Sequence, residues 1–291
     1  MPNVDLHPAK PLAPFRKIAI GTWRTAFDPQ VYGCLALRME PALAYMAEFR
    51  RRTGKRLTVT HMVAKAAGLA LTEMPEANAI LRYGRVYERK TISVFLQVAM
   101  TDPETGKPDL SGTTLHGIDR LSLEEIVEAT EKKVSSVRAR KDPELERSRG
   151  VFSKLPGILV FWVLRAMSFL LYTLNLDLAA LGLPKDGFGS IMITNIGSLG
   201  LDEAYAPLVP WSRVPMVVAV GKIADEPVVD DGQVRAGKVM RLCATFDHRF
   251  IDGAHAGVLS KVMTRVFRAP EEAFGLPPES AENPPMAEGD A

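Results

Sequence analysis

The chain has 291 residues, 47% of them hydrophobic and 24% charged, a composition that excludes a disordered polymer and suits one large globular domain or two small ones. Its 36 basic and 34 acidic side chains leave a net charge of +2, so no sequence-wide positive field exists to hold a nucleic-acid backbone, and nucleic acid is not expected as a partner. The two cysteines, Cys34 and Cys243, lie in apolar strand-like runs with no Cys-x-x-Cys pair and no Cys/His cluster at metal-ligand spacing. Both are expected to be buried small hydrophobes in a reduced cytosol, and no metal is expected.

The amino terminus lacks the basic, apolar and small-residue regions of a secretion signal, so a cytoplasmic protein is expected. Val31, Leu35, Leu37 and Met39 alternate with Tyr32, Cys34, Ala36 and Arg38, the period of a strand with unequal faces. After Pro41 a helix presents Leu43, Met46, Ala47 and Phe49. A second begins at Thr60, lines up Met62, Ala66, Leu69 and Ala70, and stops at Pro75. Thr91 to Met100 alternates again, with Ile92, Val94, Leu96, Val98 and Met100 on one side. Ser122 and Glu125 have the spacing of a capping box, followed by Leu123, Val127, Thr130, Val134 and Val137 at helical intervals.

Leu155 to Leu183 is almost wholly apolar, with Arg165 and Asp177 its only charges and apolar side chains all round the helical wheel. Neither charge-free block beside Arg165 reaches the roughly 20 residues needed to cross a bilayer, so a buried or interfacial helix is expected. A helix apolar on every side needs a cover: the rest of the protein, a neighbouring subunit or a membrane surface. Strand-like runs follow at Ser190 to Asn195, Pro215 to Ile223 and Val239 to Phe246, with Asp231-Gly232 marking a hairpin turn between the last two. A final helix after Gly253 presents Ala256, Leu259, Val262, Met263 and Val266, and residues from Leu276 onward read as a disordered tail. The order of elements predicts an α+β fold with a mixed or antiparallel sheet.

In Asp247-His248-Arg249-Phe250-Ile251-Asp252-Gly253 an imidazole ends a strand and a carboxylate starts a helix four residues later, which holds a base and its partner on rigid supports. Taken alone, the spacing also suits a helix-capping Asp252 and a hydrogen-bonded structural His248. His248-Arg249-Phe250-Ile251-Asp252-Gly253 resembles the His-x-x-x-Asp-Gly signature of the dihydrolipoyl acyltransferase catalytic domain and chloramphenicol acetyltransferase. Upstream, Gly189 to Gly200 is similar to that family's Gly-x-Phe-Thr-Ile-Ser-Asn-x-Gly-x-x-Gly segment. Val214 to Gly221 resembles its following strand, and Met74-Pro75-Glu76-Ala77-Asn78 its Val-Pro-Glu-Ala-Asn helix end. The likeness runs from about Phe15 to Phe267.

The resemblance implies a two-layer sandwich with a mixed sheet over residues 1–275, the apolar helical insert 155–183 within it, and a tail over 276–291. It also implies a homotrimer with sites at subunit interfaces, coenzyme A as substrate, His248 as general base and Thr194 of the adjacent subunit as oxyanion donor. By the same resemblance Asp252 is expected to hold the loop through an ion pair with an arginine near the amino terminus, for which Arg16 is the candidate. Three departures stand out: Thr194 in place of serine, Thr101 to Leu110 in place of the Gly-Leu-x-Val-Pro-Val strand, and the insert where the family has a short connection. No lipoyl-lysine segment is visible, so no covalent lipoyl group is expected on this chain, and a free-standing enzyme or one served by a lipoyl domain on another chain is expected. A silent scaffold of the same fold, and a peripheral enzyme on the inner face of a membrane with an apolar acceptor, are the competing readings. His7, His61, His116 and His255 are expected to be surface or structural, with a supporting role beside the site as the alternative for His255.

Overall fold

The computed structural model describes residues 2–9, 29–101, 108–138 and 156–278. Strand β1 (Gln30–Arg38) follows the predicted alternation, with Val31, Leu35 and Leu37 turned inward. Helix α1 (Glu40–Thr53) buries Ala42, Tyr45 and Phe49, while Ala47 is exposed, so the inward face is rotated from the one expected. Helix α2 (Val59–Glu73) is apolar on most of its circumference and is capped by Thr58, with His61 completing a reciprocal capping box. Two short strands, β2 (Ala79–Arg82) and β3 (Arg85–Glu88), pair through Tyr83-Gly84, both at positive φ.

Strand β4 (Ser93–Thr101) pairs antiparallel with β5 (Pro108–His116), and helix α3 (Leu123–Arg138) begins at the predicted box: Ser122 Oγ accepts from the Glu125 N–H at 3.2 Å, and Glu125 Oε2 accepts from the Ser122 N–H at 2.8 Å. The apolar insert forms helix α4 (Gly157–Ser168), extended by a π turn over Phe169–Thr173. Then come β6 (Ile191–Asn195), β7 (Met216–Asp230), β8 (Gln233–Asp247), helix α5 (Gly253–Arg268) and the short α6 (Pro270–Phe274). The β7–β8 turn is the expected one, with Asp231 and Gly232 both at positive φ as a tight hairpin requires.

Six strands make one mixed sheet in the order β1-β8-β7-β6-β4-β5, parallel only at β4/β6 and β6/β7. Ile191 and Ile193 of β6, Met216, Val218 and Val220 of β7, and Met240 and Leu242 of β8 pack with α1, α2, α3 and α5 into the main core. The alternate residues, among them Met192, Thr194, Ala219 and Cys243, lie on the opposite face of the sheet. Cys34 shares that face and is exposed, contrary to expectation, on β1 at the edge of the sheet.

The insert has two kinds of cover. Leu171 and Tyr172 are buried against Val4 and Ile80, and Asn3 donates to the Leu171 carbonyl at 3.0 Å, so the amino-terminal segment closes over its second half. Arg89 then clasps Asp186 through Nη1 at 2.5 and 2.6 Å, anchoring the segment where it rejoins the sheet. Leu159, Phe161 and Trp162 of α4 remain exposed. No helix among the described residues is long and apolar enough to cross a membrane.

Candidate active site

The chain after β8 makes a tight turn whose geometry is fixed on all sides. The His248 N–H donates to the Pro29 carbonyl at 2.8 Å, continuing the β1–β8 ladder one step beyond the strand. The Asp247 carbonyl accepts from the N–H groups of Phe250 and Ile251 at 3.2 and 2.9 Å. Its carboxylate, on a residue only 5% exposed, accepts from the Arg249 backbone N–H at 3.1 Å and from the Arg249 guanidinium at 2.8 Å. A buried carboxylate left without such a partner would cost several kcal/mol, so Arg249 offsets the desolvation that the turn imposes on Asp247. Phe250 and Ile251 plug into the core at 4% and 0% exposure. The imidazole thus stands on a rigid base.

His248 Nδ1 lies 2.9 Å from the Ile251 carbonyl oxygen. A carbonyl only accepts, so Nδ1 carries the hydrogen, and in the neutral ring Nε2 is the basic nitrogen. One residue on, Asp252 caps α5, accepting from the Ala254 and His255 N–H groups at 3.0 and 3.3 Å. The cap fixes the start of α5 and, through it, the Ile251 carbonyl that orients His248. His255 Nδ1 is 2.7 Å from the Asp252 carboxylate, and its Nε2 lies 3.4 Å from Glu76, so the Pro75-Glu76-Ala77 turn (Pro75–Ala77) and the His248 turn meet through His255. Arg16 lies outside the described residues.

Thr194 sits near the end of β6 on the face of the sheet opposite the main core. The loop that follows is held by Asn195, whose side chain donates to Thr60 Oγ1 at 2.9 Å and accepts from the Ser198 N–H at 3.1 Å. Two glycines of this segment are dictated by space. Gly189 has φ +65°, and a Cβ there would meet the Ser93 carbonyl oxygen at 2.6 Å; a Cβ on Gly197 would meet the Lys222 nitrogen at 2.7 Å.

Within one chain Thr194 and His248 stay apart. Thr194 is opposite Ala219 and Ala219 opposite Cys243, whereas His248 comes five residues after Cys243. Two strand spacings across and five residues along separate their Cα atoms by roughly 19 Å, beyond the reach of the two side chains.

Among residues with no role assigned from sequence, Asp247 and Arg249 form the clasp under the histidine; their Asp-x-Arg spacing within a turn was the available signal. His61 and His116 are structural. His61 is buried in the α2 cap and desolvation lowers its pKa to about 4, while His116 Nδ1 is 3.0 Å from Ser93 Oγ.

The 2-oxoacid dehydrogenases acyltransferase (catalytic domain) family matches residues 9–153 and 186–275. The chain belongs to this family. The match skips the apolar segment between 153 and 186, which marks α4 and its flanks as an addition to the family's pattern. Among curated relatives, the chain is 24% identical over 219 residues to the dihydrolipoyllysine-residue acetyltransferase component of the acetoin cleaving system of Bacillus subtilis, covering 75% of this chain and 43% of that protein. It is 37% identical over 82 residues to the corresponding component of the Bacillus subtilis pyruvate dehydrogenase complex, covering 28% of this chain and 18% of that one. The chain therefore spans less than half the length of these relatives.

Solved structures share the fold. A dihydrolipoamide acetyltransferase of Azotobacter vinelandii superposes with a TM-score of 0.61 at 18% identity, over 93% of this chain and 100% of that one. A truncated catalytic core of the 2-oxoacid dehydrogenase multienzyme complex from Thermoplasma acidophilum gives 0.59 at 20% identity, over 91% and 99%. As in the sequence-based expectation, the architecture is α+β with a mixed sheet.

Proposed function

We propose that the protein transfers an acyl group between coenzyme A and a second thiol, with His248 as general base and Thr194 of the partner subunit as oxyanion donor, in a homotrimer. The observation that carries this reading is the bond from His248 Nδ1 to the Ile251 carbonyl, which leaves Nε2 as the proton acceptor. A thiol is mostly protonated at neutral pH; Nε2 takes its proton as the sulfur attacks the thioester carbonyl. The resulting oxyanion needs a donor, which the Thr194 hydroxyl supplies. As the intermediate collapses, the first thiolate leaves and takes back the proton, so acyl-CoA and thiol give free CoA and a new thioester.

The separation of Thr194 from His248 along the sheet supports a site shared between subunits. The names of the curated relatives support a dihydrolipoyl acceptor, carried on another chain or another part of a longer protein. Residues 1–275 form the catalytic unit on this reading, and it works in the cytoplasm. The exposed aromatic side of α4 supports a role for the insert in lying against a second apolar surface, either another subunit or a lipid face. Release of free CoA from acetyl-CoA, dependent on added dihydrolipoamide, tests the activity. Failure of every short-chain acyl-CoA to react with any dithiol acceptor overturns it.

A further inference from the structure

Cys34 and Cys243 face each other across the β1–β8 ladder. The Met39 N–H bond to the Lys238 carbonyl and the His248 N–H bond to the Pro29 carbonyl place the odd-numbered β1 positions in hydrogen-bonded pairs. Cys34 and Cys243 therefore fall in the other set, in which facing side chains approach most closely, and their sulfurs are 3.8 Å apart. Both side chains leave the sheet on the face opposite the main core. Glu203, on the chain between β6 and β7, brings a carboxylate oxygen so close that all three donor atoms lie within 4.8 Å of one another.

The surroundings hold this trio in place. The Tyr205 hydroxyl donates to Glu203 Oε1 at 2.9 Å, and the Tyr205 ring is set edge-on against Tyr32, 5.4 Å between centroids. A divalent cation stabilises the thiolates it binds.

We propose that Cys34, Cys243 and Glu203 bind one thiophilic divalent cation, with zinc as the fitting ion and water as its fourth ligand. Two sulfurs bound to zinc at about 2.3 Å and a tetrahedral angle are separated by about 3.8 Å, which is the spacing the strands impose. Sulfur donors select against magnesium and calcium, and the bond from Tyr205 to Glu203 is the outer support that orients a ligating carboxylate. Thr194, Ala219, Cys243 and Cys34 lie in one row across four strands. With strands about 4.8 Å apart, the ion sits roughly 10 Å or more from Thr194, too far to touch an acyl group there. It is a structural clamp that ties the loop after β6 to the β1–β8 ladder, independent of the acyl-transfer reading.

The test is titration of the full, chelator-stripped chain with Co2+ under anaerobic conditions. One equivalent should bind, giving a thiolate-to-cobalt charge-transfer band and the visible bands of a tetrahedral ion, and Zn2+ should displace it. Cys34→Ser should remove about half of the charge-transfer intensity. Tyr205→Phe should weaken binding about 10- to 100-fold. Cys34, Glu203 and Tyr205 are exposed, so Cys34→Ser, Glu203→Gln and Tyr205→Phe test the site without opening the core. Absence of the charge-transfer band, or binding unchanged in Cys34→Ser and Glu203→Gln, overturns the proposal. So does a Cys34–Cys243 disulfide that forms in air as fast with saturating Zn2+ as without it.

Discussion

Two inactive variants should repair each other if the reacting pair is divided between subunits. His248→Ala keeps Thr194, and Thr194→Ala keeps His248. The register of β6, β7 and β8 holds these residues roughly 19 Å apart in one chain, so neither chain alone can compensate for its own loss. In a cyclic trimer assembled at random from equal amounts, a site is whole where a chain with His248 is followed by one with Thr194. That holds for roughly a quarter of sites. The parents should retain about 1 part in 100 to 10,000 of the rate for His248→Ala and about 1 part in 100 to 1,000 for Thr194→Ala. The mixture should therefore exceed either parent by at least tenfold. Co-expression with two affinity tags isolates mixed trimers, and acyl transfer from acetyl-CoA to dihydrolipoamide reads the outcome. Activity equal to the mean of the parents would refute the divided site.

Thr194→Ala should cost about 3 kcal/mol in kcat, whereas Thr194→Ser keeps the hydroxyl and should be mild; equal losses would mean that the methyl group, not the hydroxyl, matters. Asp252→Ala removes the α5 cap and should cost about 1 kcal/mol, visible as a lower urea midpoint, while Asp252→Asn should retain most of it. His61 is held neutral by burial, with its pKa lowered to about 4, so its contribution is complete above its unfolded value of about 6.5 and is lost as the pH falls toward 4, a loss on the order of 3 kcal/mol. His61→Gln should flatten the pH dependence of Tm across that window, and an unchanged slope would contradict the assignment. Gly189→Ala should destabilise by about 2 kcal/mol or more, since positive φ and the Ser93 carbonyl both oppose a side chain.

The elements most legible in the sequence were those whose burial has one period and whose ends carry their own signals. The Ser122–Glu125 box and the Asp231-Gly232 turn were placed correctly because local chemistry decides them. Strand β5 escaped because Ser111 and Thr113, which share the inward face with Leu115, are polar residues that show no hydrophobic alternation even though they are buried. The β2–β3 hairpin escaped because four-residue strands are too short to show a period. The His248 turn was readable as a motif, but its chemistry depends on the Ile251 carbonyl, a backbone atom that no residue pattern displays. Cys34 and Cys243 lie 209 positions apart, and only strand register brings them together, so spacing along the chain concealed the cluster with Glu203. The insert was recognisable by composition, yet its cover came from Val4 and Ile80, contacts that no local pattern encodes.

The central claim is that His248 is the base in thiol-dependent acyl transfer. Its most direct test is the initial rate of acyl transfer between acetyl-CoA and dihydrolipoamide by His248→Ala and by the unaltered chain at saturating substrate and equal trimer content. General-base catalysis predicts that kcat falls by about two to four orders of magnitude, with the fold and coenzyme A binding preserved. A His248→Ala protein that transfers acyl groups within a few-fold of the unaltered rate would contradict the account.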